Sequence, residues 1–108
     1  MKSTAINKEL SKKKKHLLIT FGRCFFCGKP QGKVDLTLVH LIRRSYSVNL
    51  ILDDRNLTLG CLSCHTAYDD GFGSKLRNLG NIELAIARVR EMDEFYANRI
   101  EDRLSRPD

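Results

Sequence analysis

Two Cys-x-x-Cys pairs, Cys24–Cys27 and Cys61–Cys64, constrain this chain more than any other feature. Two residues between thiolates let both sulfurs of a tight turn point at one ion. Two such turns complete the tetrahedron of a closed, structural zinc site. Gly28 supports the first turn, because a residue without Cβ tolerates the conformation needed after the second thiolate. The pairs are separated by 33 residues, more than a simple zinc ribbon uses, so an insert lies between them. The plainer alternatives are four free buried thiols, or a redox pair that would leave the second pair without a purpose.

Size makes the metal reading useful. The chain has 108 residues, no Trp and 7% aromatics, which limits the core it can build. Bound zinc would turn metal-binding free energy into folding free energy. No stretch is long and apolar enough for a membrane span, and the N-terminus lacks a signal peptide's apolar run. A cytoplasmic location follows as an expectation, and there four Cys read as ligands before they read as disulfides.

The net charge of +6 is unevenly placed. Residues 1–33 hold nine bases and one acid (+8), and residues 34–108 hold ten bases and twelve acids (−2). The excess centres on Lys12, Lys13, Lys14 and Lys15. Such a run is either a solvated helix or tail, or an electrostatic foot on nucleic acid.

The pattern predicts frayed residues at Met1 to Thr4, then a basic helix from Ala5 to Thr20 on Ile6, Leu10, Leu17 and Ile19. Alternation from Val34 to Ile42 predicts a strand with His40 on the face of Leu38 and Ile42. Arg43 to Asn56 reads as a loop or broken hairpin. Leu57 and Leu59 start a short strand, and Cys61 to Asp70 reads as a knuckle leading into a helix. Asn81 to Leu104 reads as one amphipathic helix, capped by Asn81 and ended by Pro107, with Ile82, Ile86, Val89, Phe95 or Tyr96, and Ile100 on its stripe. That stripe suits packing within the chain or a homodimer.

The insert and the residues after the second pair add His40, Arg43, Arg44, Asn56, His65 and Asp69. Singly each has a plain explanation: a core histidine, solvated arginines, a turn asparagine. Their order is more telling: Cys-x-x-Cys, a strand His, Asn-Leu, then Cys-x-x-Cys-His. In this the chain resembles the HNH nucleases, the zinc-bound group of the ββα-metal fold. The resemblance rests on Val39-His40-Leu41-Ile42-Arg43-Arg44, Asn56-Leu57 and Cys61 to Asp69. The His-x-x-x-Arg stretch further suggests phage recombination nucleases of the NinG/Rap kind, and hence a phage or prophage source.

The resemblance implies an α+β fold: a small, treble-clef-like ββα-metal core stapled by zinc, with flanking N- and C-terminal helices. The expected layout is one domain over 1–108, with a basic helix or tail over 1–20, an HNH core over 21–75 and a C-terminal helix over 81–105. It implies a DNA endonuclease in which His40 is the general base and Asn56 orients the loop or the base. His65 and Asp69 would hold one divalent cation (Mg²⁺, Mn²⁺ or similar), and Arg43 and Arg44 would clamp phosphate. Cys24, Cys27, Cys61 and Cys64 would hold structural zinc. One position departs from the pattern: Val39 stands where the family usually has a first metal ligand. Three outcomes are open there. His65, Asp69 and waters suffice; Asp35 or Asp70 substitutes; or the protein is a zinc module that binds DNA without cutting it.

Overall fold

The computed structural model describes residues 3–108. In chain order it contains helix α1 (Ser3–Thr20), strands β1 (Leu36–His40) and β2 (Leu57–Cys61), and helices α2 (Leu62–Asp70), α3 (Ser74–Arg77), α4 (Ile82–Met92) and α5 (Glu94–Ser105). The fold is α+β, as expected.

The strands pair antiparallel, with Leu36 opposite Cys61, Leu38 opposite Leu59 and His40 opposite Leu57. The β1 strand is shorter than the Val34–Ile42 alternation suggests, because Leu41 turns its N–H to the Asn56 carbonyl and Ile42 is held by the Asn56 side chain. The long connection between strands is irregular, with 3-10 turns at Val48–Leu50 and Asp54–Asn56.

The basic segment is a helix rather than a tail, and it already includes Ser3 and Thr4. Met1 and Lys2, also expected to fray, lie outside the described residues. Leu10 anchors α1, packing with Ile51 and Leu57 while Ile6, Leu17 and Leu38 flank it. Ile19 does not join this stripe and is 87% exposed. At 100° per residue it lies about half a turn round the helix from Leu10.

The segment after Asn81 is two helices, not one. At Asp93 the backbone is extended (φ −160°, ψ 102°), and the Asp93 carboxylate accepts from the Tyr96 N–H at 2.9 Å. An aspartate that caps a new helix ends the old one. Asn81 is also not a side-chain cap: it adopts φ 58°, and its Nδ2 donates to the Phe25 carbonyl at 2.7 Å. Next to it, a Cβ on Gly80 would lie 2.0 Å from the Phe26 carbonyl oxygen, so only glycine lets α4 begin against the first Cys turn.

Ile82, Ala85, Ile86, Val89, Tyr96, Ala97 and Ile100 join Phe26, Val39, Leu41, Ile42, Tyr68 and Leu76 in the main core. The apolar stripe considered for a dimer is thus packed within the chain, with Phe95 outside it at 67% exposure. Among the described residues no helix is long and apolar enough to cross a membrane.

Candidate active site

The first Cys turn is fixed from several sides. Cys24 donates its N–H to the Lys29 carbonyl, Phe25 to the Leu59 carbonyl of β2, and Gly28 (φ 78°) to the Cys24 carbonyl. The second pair sits where β2 runs into α2. The turn and the hairpin bring all four Sγ atoms within 4.8 Å of one another. Cys27 and Cys61 are 3.8 Å apart at sulfur, too far for a disulfide. Two thiolates of a zinc tetrahedron with bonds of about 2.3 Å stand about 3.8 Å apart, so the cluster fits a zinc ion. At Cys24 burial opposes the thiolate, but N–H groups of Cys27, Cys61 and Phe26 outweigh it and bring the thiol down to about 7. Burial and the neighbouring thiols push Cys64 up.

The second group forms beside β1. His40, Arg43, Arg44, His65 and Asp69 line one cavity of about 420 Å³, with Leu10 of α1 and Leu38 as its apolar wall. His40 ends β1, and its Nε2 lies 3.0 Å from the Ile51 carbonyl. A carbonyl only accepts, so Nε2 carries the hydrogen and Nδ1 keeps the basic lone pair. Burial pulls the His40 pKa below its ordinary value, and Arg44 and His65 pull the same way. The imidazole is therefore neutral at pH 7, the form a general base needs.

His65 and Asp69 stand one turn apart on α2, with Nε2 and Oδ2 separated by 3.1 Å. Thr37 of β1 fixes the tautomer. Its single hydroxyl hydrogen goes to the Gly60 carbonyl at 2.8 Å, so at 2.8 Å from His65 Nδ1 its oxygen accepts. His65 Nε2 then presents a lone pair to a carboxylate, and a proton or a metal ion must lie between them. Adjacent ligands of an octahedral ion with bonds of about 2.1 Å are about 3 Å apart, which the pair matches. The donor set thus fits a divalent cation.

Asn56 is fully buried and does not line the cavity. Its Oδ1 accepts from Ile42 N, and its Nδ2 donates to the carbonyls of Ile42 and Leu50 at 3.0 Å each. It pins both ends of the loop whose Ile51 carbonyl holds His40. Arg43 donates to the Asp69 carbonyl and pairs with Asp70 at 3.1 Å. Arg44 makes no ion pair among the described residues.

Val39 is fully buried, with its Cγ2 atom packed near Gly60. Neither Asp35 nor Asp70 lines the cavity. Of the lysines, Lys12 pairs with Glu9 and Lys13 with Asp54 at 2.7 Å, which ties α1 to the loop. Lys14 is half-buried and Lys15 exposed. Sequence reasoning missed Thr37, whose role depends on a partner 28 residues away, and Tyr68, whose buried hydroxyl donates to the Leu41 carbonyl at 2.6 Å.

A two-stranded hairpin with a helix across it, two Cys turns at one end and a His/Asp pair on the helix define a small zinc-type ββα-metal domain. Residues 24–71 match the family model described as HNH endonuclease. No curated protein and no solved structure matches the chain. An HNH domain suggests a nuclease-type function.

Proposed function

We propose that this protein is a divalent-metal-dependent DNA endonuclease of HNH type, with zinc on Cys24, Cys27, Cys61 and Cys64 as its structural staple. The observation that carries this reading is that His40, His65 and Asp69 line one cavity within the matched segment. His65 Nε2 and Asp69 Oδ2 would hold the divalent ion. When bound, that ion supplies positive charge for the scissile phosphate and its leaving oxygen.

His40 accepts the proton of the attacking water at Nδ1, while the Ile51 carbonyl holds the opposite ring nitrogen and fixes the ring. Asn56 positions His40 through the loop it pins and does not touch substrate. Arg44, free of carboxylate partners, meets a phosphate oxygen at the rim. The α1 helix forms one side of the cavity through Leu10, so Lys14 and Lys15 sit on the element beside the DNA path, whereas Lys12 and Lys13 are engaged within the chain. The phage recombination kind, a cytoplasmic setting and a single-domain layout belong to the same proposal.

The buried Val39 favours a second reading, a zinc module that binds DNA without cutting it. Supercoiled plasmid, nicked, branched and single-stranded DNA incubated with Mg²⁺ or Mn²⁺ separate the two. The nuclease reading predicts divalent-dependent nicking that His65→Ala loses while zinc content stays. Salt-sensitive binding with no nicking under any divalent ion gives the second reading.

A further inference from the structure

A second cavity, also of about 420 Å³, opens between the Arg43–Tyr46 turn and α5. We propose that it is a nucleotide subsite, in which Arg99 and Arg103 take a phosphate and the Tyr46 ring faces the base. Its placement next to the scissile phosphate rests on the nuclease reading; its ligand chemistry does not.

Charge is the first argument. Arg43, Arg99 and Arg103 line the cavity with one acid, Asp69; Asp70 pairs with Arg43 and Asp93 faces the Tyr46 hydroxyl, which leaves Arg99 and Arg103 as the cations with no carboxylate partner among the described residues. Arg103 is half-buried, and its Nε and Nη2 donate to the carbonyls of Gly71 and Tyr68 at 2.5–3.1 Å. Those carbonyls fix the guanidinium but do not neutralise it. Arg99 touches no carboxylate among the described residues. Its guanidinium stands 5.8 Å from the ring centroids of both Tyr46 and Tyr96. Two like charges held in one cavity repel, and a phosphate between them relieves that repulsion while matching the planar guanidinium donors.

Shape and aromatic content are the second argument. Tyr46 and Tyr96 meet edge to face, with centroids 4.8 Å apart. Tyr96 is buried and braces the pair, while Tyr46 keeps an exposed ring. An aromatic face beside arginines is the ordinary means of holding a single nucleotide without reading its sequence. The volume lies within the range of small-ligand pockets. Continuity is the third argument. Arg43 and Asp69 line both this cavity and the one holding His40 and His65, so the two share a wall. A strand with one phosphate at His65 and Asp69 continues into the Arg99 cleft. Arg99, Arg103 and Tyr96 lie outside residues 24–71, so the cleft is an addition by the C-terminal helix to the matched domain.

The test is calorimetric titration of the full zinc-loaded chain with thymidine 3′,5′-bisphosphate, and separately with inorganic phosphate, with no divalent ion added. Arg99 is exposed and bonds nothing that holds the fold, so its variants should fold. The expected result is one site that Arg99→Gln weakens about tenfold or more. Arg99→Lys recovers the phosphate affinity in part, Tyr46→Leu weakens the bisphosphate more than inorganic phosphate, and Lys33→Gln, at an exposed base that lines neither cavity, leaves both unchanged. No binding by the native chain, equal binding by Arg99→Gln, or a loss in Lys33→Gln as large as in Arg99→Gln overturns the proposal. Because this readout involves no cleavage, a protein that binds through Arg99 yet nicks nothing would sink the nuclease reading and leave the subsite standing.

Discussion

Thr37 has one hydroxyl hydrogen, and the Gly60 carbonyl takes it, which leaves its oxygen to receive His65 Nδ1–H. A histidine ligand held this way keeps one tautomer and one orientation, and losing such a partner costs about tenfold to a hundredfold in metal affinity. Thr37→Val should therefore weaken Mn²⁺ binding by that factor with zinc content unchanged; equal Mn²⁺ affinity in the variant would show that Thr37 plays no part. At His40 the shift has a definite sign. Burial lowers its pKa, so the neutral base persists to more acid pH than in a free histidine. As pH falls below the ordinary value of about 6.5, His40 protonates late, and cleavage is lost only there. An acid limb in the single-turnover rate with its midpoint below 6.5 is expected, and a midpoint above 7 would contradict it. His40, His65 and Asp69 could be picked out from sequence through the resemblance, which the order of a strand His, Asn-Leu and Cys-x-x-Cys-His between and after the Cys pairs carries. Thr37 could not, since a threonine three residues before His40 looks like any strand threonine until β1 meets α2.

Elements differ in how much of them sequence disclosed. The two strands and α2 were legible because period-2 alternation marks β1, and Leu57 and Leu59 lead straight into the Cys61 turn and the helix after it. The C-terminal segment misled because its apolar stripe continues across Asp93, so Val89, Tyr96 and Ile100 fit one helix as well as two. The signal lay in Asp93 as a cap, which competes with a mid-helix reading only once the chain bends there. Removing that cap in Asp93→Ala should cost about 1 kcal/mol. In a chain of this size that lowers Tm by about 4–8 °C, with DNA cleavage unchanged. A Tm equal to the native value would mean that α4 and α5 are separated by packing alone. The N-terminal helix shows the opposite case. Four consecutive lysines obscure it, yet Leu10 and the Lys13–Asp54 pair seat it on the hairpin.

At the scale of the whole molecule, the thiolate cluster and the hydrophobic core are joined. Cys24, Cys61 and Cys64 belong to the same buried cluster as Phe26, Tyr68 and Ile82, so a metal there braces the core from within. Stripping the metal with a high-affinity zinc chelator should abolish the cooperative thermal transition, and adding zinc back should restore it. An unchanged transition in metal-free protein would remove zinc from the account of stability. What sequence could not disclose at this scale is what α5 brings to the site. Arg99 and Arg103 are about thirty residues from Asp69 in the chain, and only the packing of α5 beside α2 sets them next to it. The central claim is that this small zinc-braced frame presents His40 as a base beside His65 and Asp69. Its most direct test is the single-turnover nicking rate of the native chain and of His40→Ala, at matched zinc content and saturating Mn²⁺. A fall of about a hundredfold to ten-thousandfold in the variant is predicted, and equal rates would contradict the claim.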